Sequence, residues 1–163
     1  MNEELVIGFG GGCHWCTEAV FSHLRGVGRV EQGWIASVAP DDDFSEAVRV
    51  TFSPGAIPLA VLIDVHLRTH SSGSDHSMRG KYRSAVYAPD EGTERLAEAA
   101  LAQAQMEMRS AVVTRVLPLT AFRPSGDRYQ RYYERRPDAP FCRTYIDPKL
   151  AKMRRRYGVR VLG

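Results

Sequence analysis

The most constraining feature of this 163-residue chain is the run from Leu5 to Cys16, LVIGFGGGCHWC. An apolar stretch of strand length enters three consecutive glycines. A helical pattern then opens at a cysteine, with Cys16, Val20 and Leu24 recurring at i, i+4 and i+8. The chain has to turn sharply between the two elements, and glycine allows that at little steric cost. A cysteine at such a junction faces the free N–H groups of a helix start. Their partial positive charge favours thiolate over thiol. The glycines also keep side chains away from the sulfur, so a substrate can approach it closely. Both points suit Cys13 to a nucleophilic role. Cys16 lies one turn later, and a C-x-x-C pair can cycle between dithiol and disulfide.

The remainder of the chain reads as alternating strands and helices. Strands are expected at Leu5–Gly10, Arg29–Ser37, Phe44–Phe52, Tyr82–Tyr87 and Ala111–Leu117. Helices are expected at Cys13 to about Leu24, Pro58–His70, Asp90 to about Met108, Gly126–Arg135 and Pro148–Tyr157. The polar stretch Ser71–Lys81 reads as a long loop, and loops of that length in compact domains often carry function. The first six elements run β-α-β-β-α-β, the order of the ferredoxin-like split βαβ unit. The expected class is α+β: a mixed sheet covered by helices, with extra C-terminal helices, in one domain over residues 1–163.

Composition narrows the function. Hydrophobic residues make up 44% and charged residues 25%, which excludes disorder of the whole chain. A net charge of +3 is too small to argue for nucleic acid, and no apolar run approaches membrane-spanning length. The acidic start Met1-Asn2-Glu3-Glu4 does not resemble a secretory signal, so a cytoplasmic protein without membrane or nucleic-acid partners is expected. The cations of the tail, Arg154-Arg155-Arg156 among them, read as a solvated helix end. Three cysteines, Cys13, Cys16 and Cys142, do not make a disulfide framework. A zinc site is disfavoured because Cys13-x-x-Cys16 has no second ligand pair. His66 and His70 stand at i, i+4, but His66 falls on the apolar face and reads as core.

GGCHWCTE resembles the signature of the type A methionine sulfoxide reductases, the class specific for the (S)-sulfoxide. Later segments are similar to that family in the same order: Phe44–Val50, Tyr82-Arg83-Ser84-Ala85-Val86-Tyr87, and Phe122–Tyr132 with Gln130. The resemblance runs from about residue 6 to residue 150. It implies the ferredoxin-like core and a thiol-based reduction. By that resemblance Cys13 attacks the sulfoxide sulfur and becomes a sulfenic acid. A second cysteine then condenses with it, and thioredoxin, or dithiothreitol in the test tube, reduces the disulfide. The second cysteine would be Cys142, or the step would be relayed through Cys16. Trp15 matches the residue that packs on the S-methyl group, where an indole also suits a thioether. Glu46 matches the acid at the sulfoxide oxygen and Tyr82 a phenol that hydrogen-bonds it.

The chain departs from the family at several of these positions. His14 replaces a phenylalanine, which polarises the methyl pocket or holds a thiolate. Trp34 replaces a tyrosine on the oxygen side. The family's aspartate falls at Ser77, with Asp75 two residues away, and Tyr129 replaces a histidine. These departures bear on substrate preference and rate. The implied reductase works without a bound cofactor or metal and is expected to be a monomer. Two other functions fit the residues: a general thiol–disulfide oxidoreductase using Cys13 and Cys16, and a non-catalytic module that binds oxidised methionine.

Overall fold

The computed structural model describes residues 3–70, 82–109 and 111–162. Among these residues the strands are β1 (Leu5–Gly10), β2 (Val27–Ala36), β3 (Ser45–Phe52), β4 (Ala85–Ala88), β5 (Arg115–Pro118) and β6 (Ala121–Pro124). The helices are α1 (His14–Ser22), α2 (Leu59–Thr69), α3 (Glu91–Glu107), α4 (Tyr132–Arg135) and α5 (Asp147–Tyr157). The strands form one sheet in the order β5-β4-β1-β3-β2-β6. Its middle, β4-β1-β3-β2, is wholly antiparallel and is the split βαβ arrangement. β5 joins β4 in parallel and β6 joins β2 antiparallel, so the whole sheet is mixed, as expected.

β1 divides the molecule into two layers. Ile7 and Phe9 are buried in the main core, where Phe9 stacks on Phe21 of α1 at 4.4 Å. Leu62, Ile63 and Leu67 bring α2 onto the same core. On the opposite side, Gly8 leaves room for Tyr87 and Ile35, which form a smaller cluster with Ala47 and Ala85. α5 is tied to α2 through Asp64, which accepts from Arg68, Tyr157 and Arg156. Arg154 and Arg155 point to solvent, as expected of the tail.

Four expectations need correction. β4 starts at Ala85, so Tyr82, Arg83 and Ser84 precede the strand. Arg83 instead donates its N–H to Ser45 Oγ at 2.8 Å. β5 is shorter than expected and begins at Arg115. β6 was not expected: four residues ending at Pro124 show no alternation to read, yet they pair with the edge of β2. The single helix expected over Gly126–Arg135 is broken, because Gln130 is extended and Arg131 is left-handed at φ 54°. α5 is preceded by a wide π-helical turn, Cys142–Ile146. Pro148 has no N–H to offer the carbonyl of Thr144, which removes one α-helical bond at that point.

Register sets the location of the site. Gly10 lies opposite Ala47 of β3 and Ala85 of β4, while Trp34 of β2 lies opposite Glu46. The C-terminal ends of β1 and β2 and the first residues of β3 and β4 therefore meet at one end of the sheet, where α1 begins.

Candidate active site

The glycine turn is held from behind by α2. Gly11 has φ +152°, and a Cβ there would lie 2.5 Å from Cδ2 of His70, so no other residue fits. His66 Nε2 lies 2.7 Å from the carbonyl oxygen of Gly10. A carbonyl only accepts, so Nε2 carries the hydrogen. His70 donates from Nδ1 to the His66 carbonyl, and its Nε2 accepts from Ser84 Oγ at 2.8 Å. Ser84 is hydrogen-bonded to Thr114 at 2.7 Å. The two imidazoles stack at 4.2 Å. His66 is buried, as expected, and it also anchors the turn that presents Cys13.

Cys13 is half-buried at the N-cap of α1. Its thiol is brought down to about 7, first by a hydrogen bond from the Cys16 thiol and then by the N–H groups of Trp15 and Cys16. Burial and the charge of Glu46 oppose this. The helix start thus contributes, but the neighbouring thiol is the larger cause. Cys16 is pushed up, because it donates to Cys13, is buried and faces the Cys13 charge. Lys149 of α5 pulls Cys16 the other way, and Cys142 lies close enough to act on it as well. Cys142 is fully buried in the wide turn, and burial raises its thiol. A cavity of about 60 Å³ beside the sulfurs is lined by Cys13, Cys16, Thr17, His66, His70 and Lys149. The Lys149 ammonium on its wall donates to the Thr69 carbonyl.

Glu46 stands on the sheet side of Cys13 and is 8% exposed. Its Oε1 accepts from the backbone N–H of His14 at 3.3 Å and lies 3.6 Å from His14 Nε2. His14 Nδ1 is 2.8 Å from the Gly33 carbonyl, and its ring meets the edge of Trp34 at 5.3 Å. The structure therefore places His14 against the carboxyl of Glu46. Trp15 stacks on Tyr132 at 4.2 Å, with Tyr129 on the same stack and the edge of Phe141 beside it. Tyr82 is half-buried at the same end of the sheet. It directly precedes Arg83, whose carbonyl, like that of Glu46, packs on Gly10. Ser77 and Asp75 lie outside the described residues. Among the described residues no cluster of three or more His, Cys, Asp or Glu is arranged to hold a metal.

Glu18 escaped the sequence reading. It is buried and accepts from the backbone N–H of Arg131 at 2.7 Å, that of Tyr132 at 3.3 Å, and Gln32 Nε2 at 2.9 Å. These bonds hold the break between the two helical turns and seat Tyr132 against Trp15. Its spacing four residues after His14, on a helix otherwise apolar on its inner side, was the available signal.

The sequence pattern of the family described as peptide methionine sulfoxide reductase matches residues 5–160. This chain belongs to that family. A peptide methionine sulfoxide reductase MsrA of Deinococcus radiodurans is 36% identical, over 92% of this chain and 81% of the relative. The MsrA of Thermus thermophilus is 33% identical over 96% of this chain and 97% of its own length. Among solved structures, Mxr1 of Saccharomyces cerevisiae in reduced form superposes with a TM-score of 0.73 at 20% identity, covering 88% of this chain and 91% of that one. Methionine sulfoxide reductase A of Corynebacterium diphtheriae gives 0.71 at 19% identity, covering 83% and 76%. A structure of yeast Mxr1 in complex with Trx2 has the same fold, with a TM-score of 0.59 at 19% identity, covering 80% and 85%. The α+β fold expected from the βαββαβ order is that of the reductase family.

Proposed function

We propose that this chain reduces the (S)-sulfoxide of methionine, free or within peptides and proteins, to methionine. One observation carries the reading: Cys13 stands at the N-cap of α1, where the backbone N–H groups of Trp15 and Cys16 reach its sulfur, and the next residue along, His14, gives its backbone N–H to the buried Glu46 carboxyl. The Cys13 thiolate attacks the sulfoxide sulfur while Trp15 packs against the S-methyl group. Glu46, aided by Tyr82, protonates the oxygen. Methionine leaves, and Cys13 keeps the oxygen as a sulfenic acid. In redox terms the methionine sulfur gains two electrons and Cys13 loses two.

Cys16 already donates its hydrogen to Cys13, so it is placed to condense first, forming the disulfide and releasing water. Cys142, buried on the Cys16 side, then accepts the disulfide by exchange. An external dithiol, thioredoxin in the cell or dithiothreitol in the assay, restores the thiols. The cycle uses no metal or bound cofactor. No helix among the described residues is long and apolar enough to cross a membrane, and we propose a monomer working in the cytoplasm. A general thiol–disulfide oxidoreductase is the weaker reading, since it gives Glu46 and Trp15 no task.

The test incubates the protein with the separate (S)- and (R)-sulfoxides of a methionine peptide and dithiothreitol, alongside Cys13→Ser. Methionine formed from the (S) form alone, and lost in the variant, is the expected result. Turnover of the (R) form, or turnover that survives Cys13→Ser, contradicts the reading.

A further inference from the structure

His14 Nδ1 lies 2.8 Å from the Gly33 carbonyl oxygen. A carbonyl has no hydrogen to give, so Nδ1 carries the hydrogen in every charge state of the ring. That leaves Nε2 as the variable atom, and it faces Glu46 Oε1 at 3.6 Å. Both residues are less than one-tenth exposed. If neither Nε2 nor Oε1 held a proton, two lone pairs would face each other in a site with little water. One proton between them resolves this, either as carboxylic acid against imidazole or as carboxylate against imidazolium. A second carboxylate, Glu18, is also influenced by the His14 ring, so positive charge on the ring meets acidic groups from α1 and β3. The backbone N–H of His14 donates to the same Oε1 and fixes that oxygen from a second direction.

We propose that His14 is a positioning residue for Glu46: its imidazole, oriented by the Gly33 carbonyl, shares with the Glu46 carboxyl the proton that the sulfoxide oxygen receives. This rests on the reading of Glu46 as the acid. The step balances. One proton passes from the pair to the oxygen, which leaves methionine and stays on Cys13 as S–OH. When the disulfide passes on by thiol exchange, Cys13 is released as a thiol and ionises, and its proton refills the pair. The arrangement has a second effect. The charge of Glu46 opposes the Cys13 thiolate, and a proton held on the pair cancels that charge while the nucleophile waits. The pair thus stores the proton without quenching the thiolate.

The experiment is a double-mutant cycle on the first turnover, measured without external reductant as methionine formed per chain. His14→Phe is expected to slow this step about tenfold or more, within the range of general acid catalysis, with the substrate concentration for half-maximal rate changed less than twofold. In a Glu46→Gln background the same substitution is expected to cost nothing further, because His14 acts through Glu46. An equal loss in both backgrounds would mean that His14 serves only packing, and overturns the proposal. A wild-type rate for His14→Phe also overturns it, while leaving the broader reading intact if Cys13→Ser and Glu46→Gln are still impaired. Full activity of those two variants removes both.

A second measurement covers the case in which His14→Phe does not fold. With imidazole-nitrogen labelling, the His14 Nε2 resonance is expected to shift toward the unprotonated-nitrogen position on Glu46→Gln, while Nδ1 stays protonated. An unmoved Nε2 resonance contradicts the shared proton.

Discussion

At the scale of single residues, the thiolate at Cys13 depends on a neighbour more than on the helix. The Cys16 thiol is the first cause of its low value, and the N–H groups of Trp15 and Cys16 follow. Alkylation of Cys13 by iodoacetamide is therefore expected to have a midpoint near pH 7. The thiol ionises above that pH, so reactivity is full on the alkaline side and is lost as the pH falls through it. Cys16→Ala removes the leading donor, so its midpoint is expected to move up. A midpoint that stays in place would assign the effect to the helix start instead. The proposed nucleophile was legible in the sequence because GGGC at a strand-to-helix junction has few other uses. The thiol-to-thiol bond was not, because a C-x-x-C spacing says that two sulfurs are near but not which one donates. His14 was legible as a departure but not as a partner of Glu46, since the two are 32 residues apart and meet through the pairing of β3 with β1 and β2.

At the scale of elements, α1 carries both the proposed chemistry and structural support. Its first turn holds Cys13, His14, Trp15 and Cys16. Its next turn holds Glu18, whose buried carboxylate binds the backbone of Arg131 and Tyr132. Glu18→Gln keeps the size but sets an amide against N–H donors. It is expected to destabilise the protein by about 1–3 kcal/mol, the range for leaving buried donors unpaired. Near-ultraviolet circular dichroism is expected to weaken with it, as the Trp15–Tyr132 stack loosens. Melting and spectra unchanged from wild type would show that the clamp contributes little. Pro58 and helical spacing made α2 readable, and an Ala- and Glu-rich run made α3 readable; the structure adds that Asp90 caps α3 by accepting from Thr93 N–H at 2.7 Å. The segment around Arg131 was misread as one helix because its break is imposed by Glu18, far away in sequence, and not by a local glycine or proline.

At the scale of the whole molecule, the order β-α-β-β-α-β was enough to anticipate the central four strands, because right-handed crossovers leave few alternatives. The edges were harder. β6 has only four residues, and its place is set by pairing with β2 rather than by its own pattern. The C-terminal third wraps back over α1, bringing Tyr132, Phe141, Cys142 and Lys149 to a site whose first residues lie more than a hundred positions earlier. No local signal announces that return. It is what would let a buried Cys142 take part in a cycle that begins at Cys13. The central claim is that oxygen passes from the sulfoxide to Cys13. The most direct measurement uses the Cys16→Ser/Cys142→Ser double variant, incubated with the (S)-sulfoxide and dimedone without reductant, followed by peptide mass analysis. One methionine per chain and a dimedone adduct on Cys13 are expected. No methionine, or methionine formed with Cys13 unmodified, would contradict the account.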